Sequence, residues 1–295
     1  MTKELKELKK NYFTNQHHKF LVIGSNGFIG TYLISYLKKI GKVLTISRKK
    51  SDYNFDIQNV NKLKEIIMSF DPNTIIYLAG VIDIENAEKD KMYSTLINST
   101  IINKLVKYIK KSTKLVYFSS IAVYPDIQGP HIESNVRPVN HYGKTKLEGE
   151  RNCIKHENSI ILRFSVIGES QISSRKTLTD LIIESLTKKK KINLFYNELF
   201  NPLNVMTLVE ILILLIKNDL RGTYNLGSSK GISKSEFGYM LAKYHNLDDK
   251  IINSCSSLDN KTRIYRSADL RLNCSKIEKI LDIHMPSIEE EINRL

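Results

Sequence analysis

Residues 19–30 read "KFLVIGSNGFIG", and their interpretation decides the fold. An apolar run of strand character ends in Gly24, Gly27 and Gly30, spaced three apart, and a helical pattern follows at once. In a strand–turn–helix unit, each glycine answers a steric demand. The first makes the tight turn, the second lets backbone approach a pyrophosphate, and the third lets helix pack closely on strand. The helix N-terminus then favours the anion. Asn26, Phe28 and Ile29 belong to the same candidate cofactor seat. The spacing is one residue off the G-x-G-x-x-G of many dinucleotide-binding turns. A glycine turn without ligand is the alternative, and the strand–turn–helix setting weighs against it.

Outward from this turn, β-like runs alternate with helical stretches. "FLVIG", "KVLTIS", "TIIYLAG", "KLVYFSS" and "SIILRFS" are separated or followed by helical patterns at 28–40, 59–70, about 91–111 and 141–157. This alternation predicts an α/β fold, a Rossmann-like doubly wound parallel sheet. After about residue 166 helical stretches dominate, at 175–189, 206–217, 233–246 and 275–282, with short strands at "INLFY" and "GTYNLG". The expected organisation is a basic N-terminal extension (1–19), an NAD(P)-binding domain (20–165) and a mainly substrate-binding C-terminal lobe (166–295) partly interleaved with it.

The composition excludes several classes. No apolar run approaches the roughly 20 residues of a membrane span. The N-terminus, "MTKELKELKKNYFTNQHHK", lacks the apolar core of a signal peptide. Cys153, Cys255 and Cys274 have neither paired nor metal-ligand spacing, so a reducing cytoplasm and no metal are expected. The net charge of +14 is spread along the chain. It is read as suited to an anionic small molecule, not to nucleic acid or a membrane. The dense run Lys188–Lys191 closes a helical pattern, where cations are favoured. Leu5, Leu8 and Tyr12 fit a surface helix, a dimer contact or a tail equally well.

The end of the second strand discriminates between nicotinamide cofactors. A carboxylate there holds a ribose 2′-hydroxyl, and a cation takes a 2′-phosphate. The chain offers Ser47, Arg48, Lys49 and Lys50, and no acid. Arginine grips phosphate in fork geometry, so NADP(H) is favoured and NAD stays open. A solvated basic turn is the alternative.

"HYGKTKLEGE" places Tyr142 and Lys146 four apart in a helical pattern, on one face. A neighbouring ammonium lowers a tyrosine pKa, so the pair can pass a proton to a carbonyl oxygen. Such pairs also occur on ordinary helix surfaces. Upstream, "KLVYFSSIAVY" ends a strand at Ser119 and Ser120. A hydroxyl at that edge of a parallel sheet stands where ligands bind, and Ser120 could hold the substrate oxygen. It could equally cap a turn.

Together these features resemble the extended short-chain dehydrogenase/reductase family, nucleotide-sugar branch, over roughly residues 20–285. The resemblance rests on "GSNGFIG", "FDI" (55–57), "LAG" (78–80), "LINST", "FSSIAVY", "YGKTK" and "LRFS" (162–165), in the family's order. It implies a catalytic set of Ser120, Tyr142 and Lys146, with Asn98 supporting the lysine through water. It places Asp56 and Ile57 near the adenine, and Leu78, Ala79 and Gly80 along the cofactor. "RSADLRLNCSKIEKI" resembles the C-terminal run of dTDP-4-dehydrorhamnose reductases and related enzymes. That implies a diphosphate contact for Arg266, with Asp269 orienting the neighbouring chain.

Departures from the family's patterns narrow the reaction. The family's 4,6-dehydratases carry Asp-Glu after the catalytic hydroxyl, whereas Ile121 and Ala122 stand here. GDP-fucose synthases carry a cysteine at the position of Ala122; His131 and His141 are the nearby acids that could substitute. Ser165, a candidate substrate contact, replaces the asparagine of 4-epimerases, and Phe200 stands where those often show arginine. The expectation is NADPH-dependent reduction of a nucleotide-linked 4-keto-6-deoxysugar to a donor for polysaccharide or glycan synthesis. An NAD-dependent 4-epimerase is the runner-up, and a non-catalytic NADP-binding sensor the third reading. The expected partner is a nucleotide-diphosphate sugar. The resemblance allows a homodimer through the helices near 91–111 and 141–157, but those apolar faces could equally pack on the sheet, and the assembly stays open.

Overall fold

The computed structural model describes residues 17–172 and 176–295. The helical reading of Leu5, Leu8 and Tyr12 therefore lies outside the described residues. Seven parallel strands form the main sheet: β1 (Lys19–Ile23), β2 (Lys42–Ser47), β3 (Tyr53–Asn54), β4 (Thr74–Tyr77), β5 (Lys114–Phe118), β6 (Ser159–Phe164) and β7 (Gly222–Leu226). Their order is β7-β6-β5-β4-β1-β2-β3. The order reverses between β1 and β4, which pair directly, Leu21 opposite Ile75. In such sheets ligands bind beyond the carboxyl ends of the strands at that reversal.

The described helices are α1 (Phe28–Leu37), α2 (Val60–Phe70), α3 (Ile84–Lys89), α4 (Lys91–Thr95), α5 (Ile101–Leu105), α6 (His141–Cys153), α7 (Leu178–Thr187), α8 (Val205–Lys217), α9 (Lys234–Tyr244), α10 (Ser275–Leu281) and α11 (Ile288–Ile292). Alternate residues of a strand face opposite sides of a sheet. Phe20 and Val22 of β1 therefore pack with Leu33 and Leu37 of α1 and with Leu208, Leu212 and Leu215 of α8. Leu21 and Ile23 pack on the other face with Leu63 and Ile67 of α2 and with Ile101 and Leu105 of α5. Central strands buried on both faces read as continuous apolar runs, as "TIIY" does.

A third cluster joins Ile182, Leu186, Leu194, Phe237, Leu241 and Ile288 in the C-terminal half. Short strand pairs frame it, including 192–195 with 252–255 and 199–200 with 232–233. The "GTYNL" strand, however, is β7 and lies beside β6 in the main sheet. The sheet thus takes a strand from well past residue 165. No helix among the described residues is long and apolar enough to cross a membrane.

The continuous helix expected over 91–111 is interrupted. A π-helical turn, Leu96–Thr100, separates α4 from α5, which ends at Leu105. The carbonyls of Ile97 and Asn98 accept hydroxyl hydrogen bonds from Tyr77 and Tyr117, each at 2.8 Å. Bonds from outside the helix compete with the regular ladder and widen the turn. The apolar pattern continues across the break, so periodicity alone cannot register it.

Candidate active site

The glycine turn leaves β1 at the sheet reversal. Gly24 has φ +88°, and a Cβ there would stand 2.4 Å from the Ala79 nitrogen. A Cβ on Gly30 would stand 2.2 Å from the Ser25 carbonyl oxygen. The fold itself therefore requires both outer glycines. At Gly27 a Cβ would meet only the Gly24 oxygen, at an ordinary 3.5 Å. Nothing among the described residues requires that glycine, which fits a position kept bare for a ligand. No side chain caps α1, whereas Asn59 caps α2 and Asn140 caps α6. The N–H groups opening α1 suit an anion; among them are those of Phe28 and Ile29.

The Asn26 amide donates to the Lys49 carbonyl, tying this loop to the turn after β2. Ser47 also donates its hydroxyl to that carbonyl. Arg48 is exposed. The nearest following acid, Asp52, accepts from the Thr45 N–H and hydroxyl at 2.8 and 2.7 Å. It serves the sheet edge. Asp56 accepts from the Gln58 N–H at 3.0 Å, and Ile57 is buried in the α2-side core. Leu78, Ala79 and Gly80 lie half-buried just beyond β4, with the Leu78 N–H donating to Ile23 at 2.8 Å.

Ser120 follows β5, and its hydroxyl oxygen accepts from the Ala122 N–H at 3.1 Å. Tyr142 and Lys146 are buried on α6. The Ser120 hydroxyl lies near enough to act on the Tyr142 phenol, so the structure brings these two together. The expected lowering of the Tyr142 pKa does not occur. Burial raises it, and the nearby Ser120 hydroxyl opposes that only in part. The reason lies in where the lysine goes. Lys146 Nζ donates to the Phe118 carbonyl and sits 4.6 Å over the Tyr117 ring. Burial draws its pKa down to about 7, with Glu150 acting in the opposite sense.

Asn98, fully buried, lies in the π turn. Its amide accepts from the Val81 N–H at 2.9 Å and donates to the Val81 carbonyl and the Thr145 hydroxyl, both at 3.0 Å. A Cβ on Gly80 would stand 3.1 Å from Asn98 Oδ1 and 3.9 Å from Lys146 Nζ. Asn98 thus neighbours the lysine while binding the chain after β4 and the helix that carries the lysine. Ser165 is half-buried, and its carbonyl accepts from the Leu203 N–H at 3.0 Å.

Arg266 does not present a free guanidinium. Its Nη2 donates to both oxygens of Glu85 on α3, at 2.8 and 2.7 Å, and its buried Nε has no partner among the described residues. Asp269 accepts from the Gly129 N–H at 2.9 Å and from Arg271. The segment around Arg266 crosses to the sheet side at further points. Asn140 donates to the Tyr265 carbonyl at 3.0 Å, and Asp126 accepts from the Ala268 N–H at 3.0 Å. Sequence reading missed Glu85, Asp126 and Glu150, and gave Arg163 of "LRFS" no role of its own. Only Glu150 left a signal, since it continues the Tyr142–Lys146 stripe by one more turn.

Residues 18–295 match the model of the RmlD substrate binding domain family. The chain belongs to that family. It is 26% identical to the dTDP-4-dehydrorhamnose reductase of Sinorhizobium fredii over 94% of this chain and 96% of that protein. It is 25% identical to methionine adenosyltransferase 2 subunit beta of Xenopus tropicalis, over 93% and 86%. The crystal structure of dTDP-4-dehydrorhamnose reductase from Bacillus anthracis in complex with NADP superposes with a TM-score of 0.84, at 22% identity over 94% of this chain and 98% of that one. That likeness establishes the Rossmann-like fold. The relatives of this chain are therefore named for different activities, and its own side chains must discriminate among them.

Proposed function

We propose that this chain reduces a nucleotide-linked 4-keto-6-deoxysugar with NADPH, making a deoxysugar donor for glycan or polysaccharide synthesis. The observation that carries the reading is a buried tyrosine beside Ser120, on the helix that also bears Lys146. Ketone reduction needs a proton donor at the carbonyl oxygen, and a phenol that keeps its proton is one. A non-catalytic sensor has no use for it.

Gly24, Gly27, Gly30 and the uncapped start of α1 fit a dinucleotide pyrophosphate. Ser47 and the exposed Arg48 suit a 2′-phosphate, with Asp52 turned to the sheet edge. Asp56, Ile57 and Leu78–Gly80 are the proposed adenine-side and strand-end contacts. Bound NADPH supplies hydride to the ketone carbon. Ser120 holds the ketone oxygen and Tyr142 gives it a proton. Lys146 supplies positive charge against the phenolate that remains, and Asn98 fixes the loop after β4 beside it. Ser165 and Arg266 are the proposed sugar-side and diphosphate contacts. The reading makes the chain a cytoplasmic enzyme, in keeping with its unpaired cysteines.

The test is NADPH consumption against a panel of nucleotide 4-keto-6-deoxysugars generated in situ, with NADH in parallel. Oxidation with one member is the expected result, falling by about 100-fold or more in Tyr142→Phe. Tightly co-purifying NAD, with silence across the panel and interconversion of an ordinary nucleotide sugar, would replace the reductase by the 4-epimerase.

A further inference from the structure

A single carboxylate, outside the proposed catalytic set, touches the elements that carry that set. Glu150 lies on α6 one turn beyond Lys146 and two beyond Tyr142, and is 4% exposed. Its Oε1 accepts from the hydroxyl of Ser119, the residue before Ser120, and from Arg163 Nε at 2.9 Å. Its Oε2 accepts from Arg163 Nη2 at 2.6 Å. Arg163 is a buried residue of β6, two before Ser165. Its Nη1 donates to the Tyr124 hydroxyl at 3.0 Å and to the Glu133 carbonyl. The end of β5, strand β6 and helix α6 therefore meet on one carboxylate.

A buried ion pair is weak evidence for stability, because apolar side chains of similar volume often hold such elements as well or better. What the pair supplies here is fixed geometry and a fixed charge beside Lys146. We propose that Glu150 is a positioning residue of this site: its carboxylate fixes the Ser120 strand end against the Tyr142–Lys146 helix and sets a negative charge one helical turn from Lys146. The inference rests on the reductase reading for one of its two readouts only.

The surroundings of Lys146 single out that charge. Tyr117 faces it from β5 through its ring, together with the Phe118 carbonyl; Asn98 approaches from the π turn and Gly80 from the end of β4. Tyr142 and Glu150 share its helix, and Glu150 is the charge that acts against burial of the ammonium. Glu150 itself faces Ser119, Tyr117 and Arg163 from the sheet, with Lys146 and Cys153 on its own helix.

Glu150→Gln keeps the shape and removes the charge. The sign is fixed: without that anion the ammonium loses its proton at lower pH. The alkaline limb of kcat/KM for NADPH-dependent reduction is expected to move down by about one pH unit. The 13C shift of Lys146 Cε, assigned with Lys146→Arg and titrated without substrate, is expected to move the same way. That second readout holds whatever reaction the protein performs, so a silent sugar panel overturns the reductase reading and leaves this one standing or falling by itself. Glu150→Asp, which keeps the charge, is expected to retain the Lys146 titration while kcat falls. Arg163 left alone could unfold the single variant, so Glu150→Gln/Arg163→Met removes both charges and must keep the shifted titration. An unmoved Lys146 titration, with a rate loss equal at every pH, would reduce Glu150 to a structural tie and overturn the proposal.

Discussion

Arg48 stands exposed at the end of β2, on a turn held by Asn26 and Ser47 through the Lys49 carbonyl. If its guanidinium grips the 2′-phosphate, Arg48→Gln removes a charge-assisted fork and loses about 1.5–3 kcal/mol of binding. The expected outcome is a KM for NADPH raised about 10- to 100-fold with that for NADH nearly unchanged. Equal effects on both cofactors would mean that the residue acts elsewhere. At this scale the sequence spoke where chemistry demands particular residue types at short spacing. Gly24, Gly30, Tyr142 and Lys146 are of that kind. It misjudged the tyrosine's ionisation because burial is a property of the packed site. Spacing announces that two groups can be neighbours on a helix, and says nothing of a backbone carbonyl, Phe118, that takes the ammonium.

At the scale of elements, the contact between α3 and the Arg266 segment joins residues 181 apart in sequence. No local pattern encodes such a pair. The interrupted helix has a similar origin, since the hydroxyls of Tyr77 and Tyr117 reach it from two different strands. The Glu85–Arg266 contact has a functional consequence if Arg266 receives a diphosphate. A carboxylate offers a guanidinium the same fork geometry as a phosphate, so Glu85 competes with the substrate for Arg266. Its side chain is 45% exposed and that of Arg266 25%, so the pair is worth at most about 1 kcal/mol. Glu85→Gln is accordingly expected to lower KM for the nucleotide sugar about two- to fivefold at unchanged kcat. Arg266→Gln is expected to raise it. Steady-state kinetics on both variants decide the matter: an unchanged KM in both would remove Arg266 from the substrate site.

At the scale of the molecule, alternating β and α runs made the sheet legible, because a parallel sheet buried on both faces writes apolar strands between amphipathic helices. The place of β7 was not legible, since strand character gives no partner. The same packing bears on self-association. The apolar residues around the π turn and α5 are spent on the sheet, as Ile97, Ile101, Ile102 and Leu105 show. The exposed residues of α5 and α6 are Lys104, Lys144, Glu148 and Arg151, with Lys107, Ile154, Lys155 and Glu157 exposed just beyond their ends and Met92 exposed on α4. A two-fold interface sets one patch against its own copy, so a dimer through these helices would place mostly cations against cations. Salt screens such repulsion, with a Debye length of about 10 Å at 0.1 M. Sedimentation equilibrium is therefore expected to give a monomer at low ionic strength, with any association through this face strengthening as salt is added. A dimer that is tightest at low salt and is broken by Lys144→Glu/Arg151→Glu would show that the face pairs its charges with an acidic patch elsewhere, which a two-fold packing of these helices on themselves does not provide.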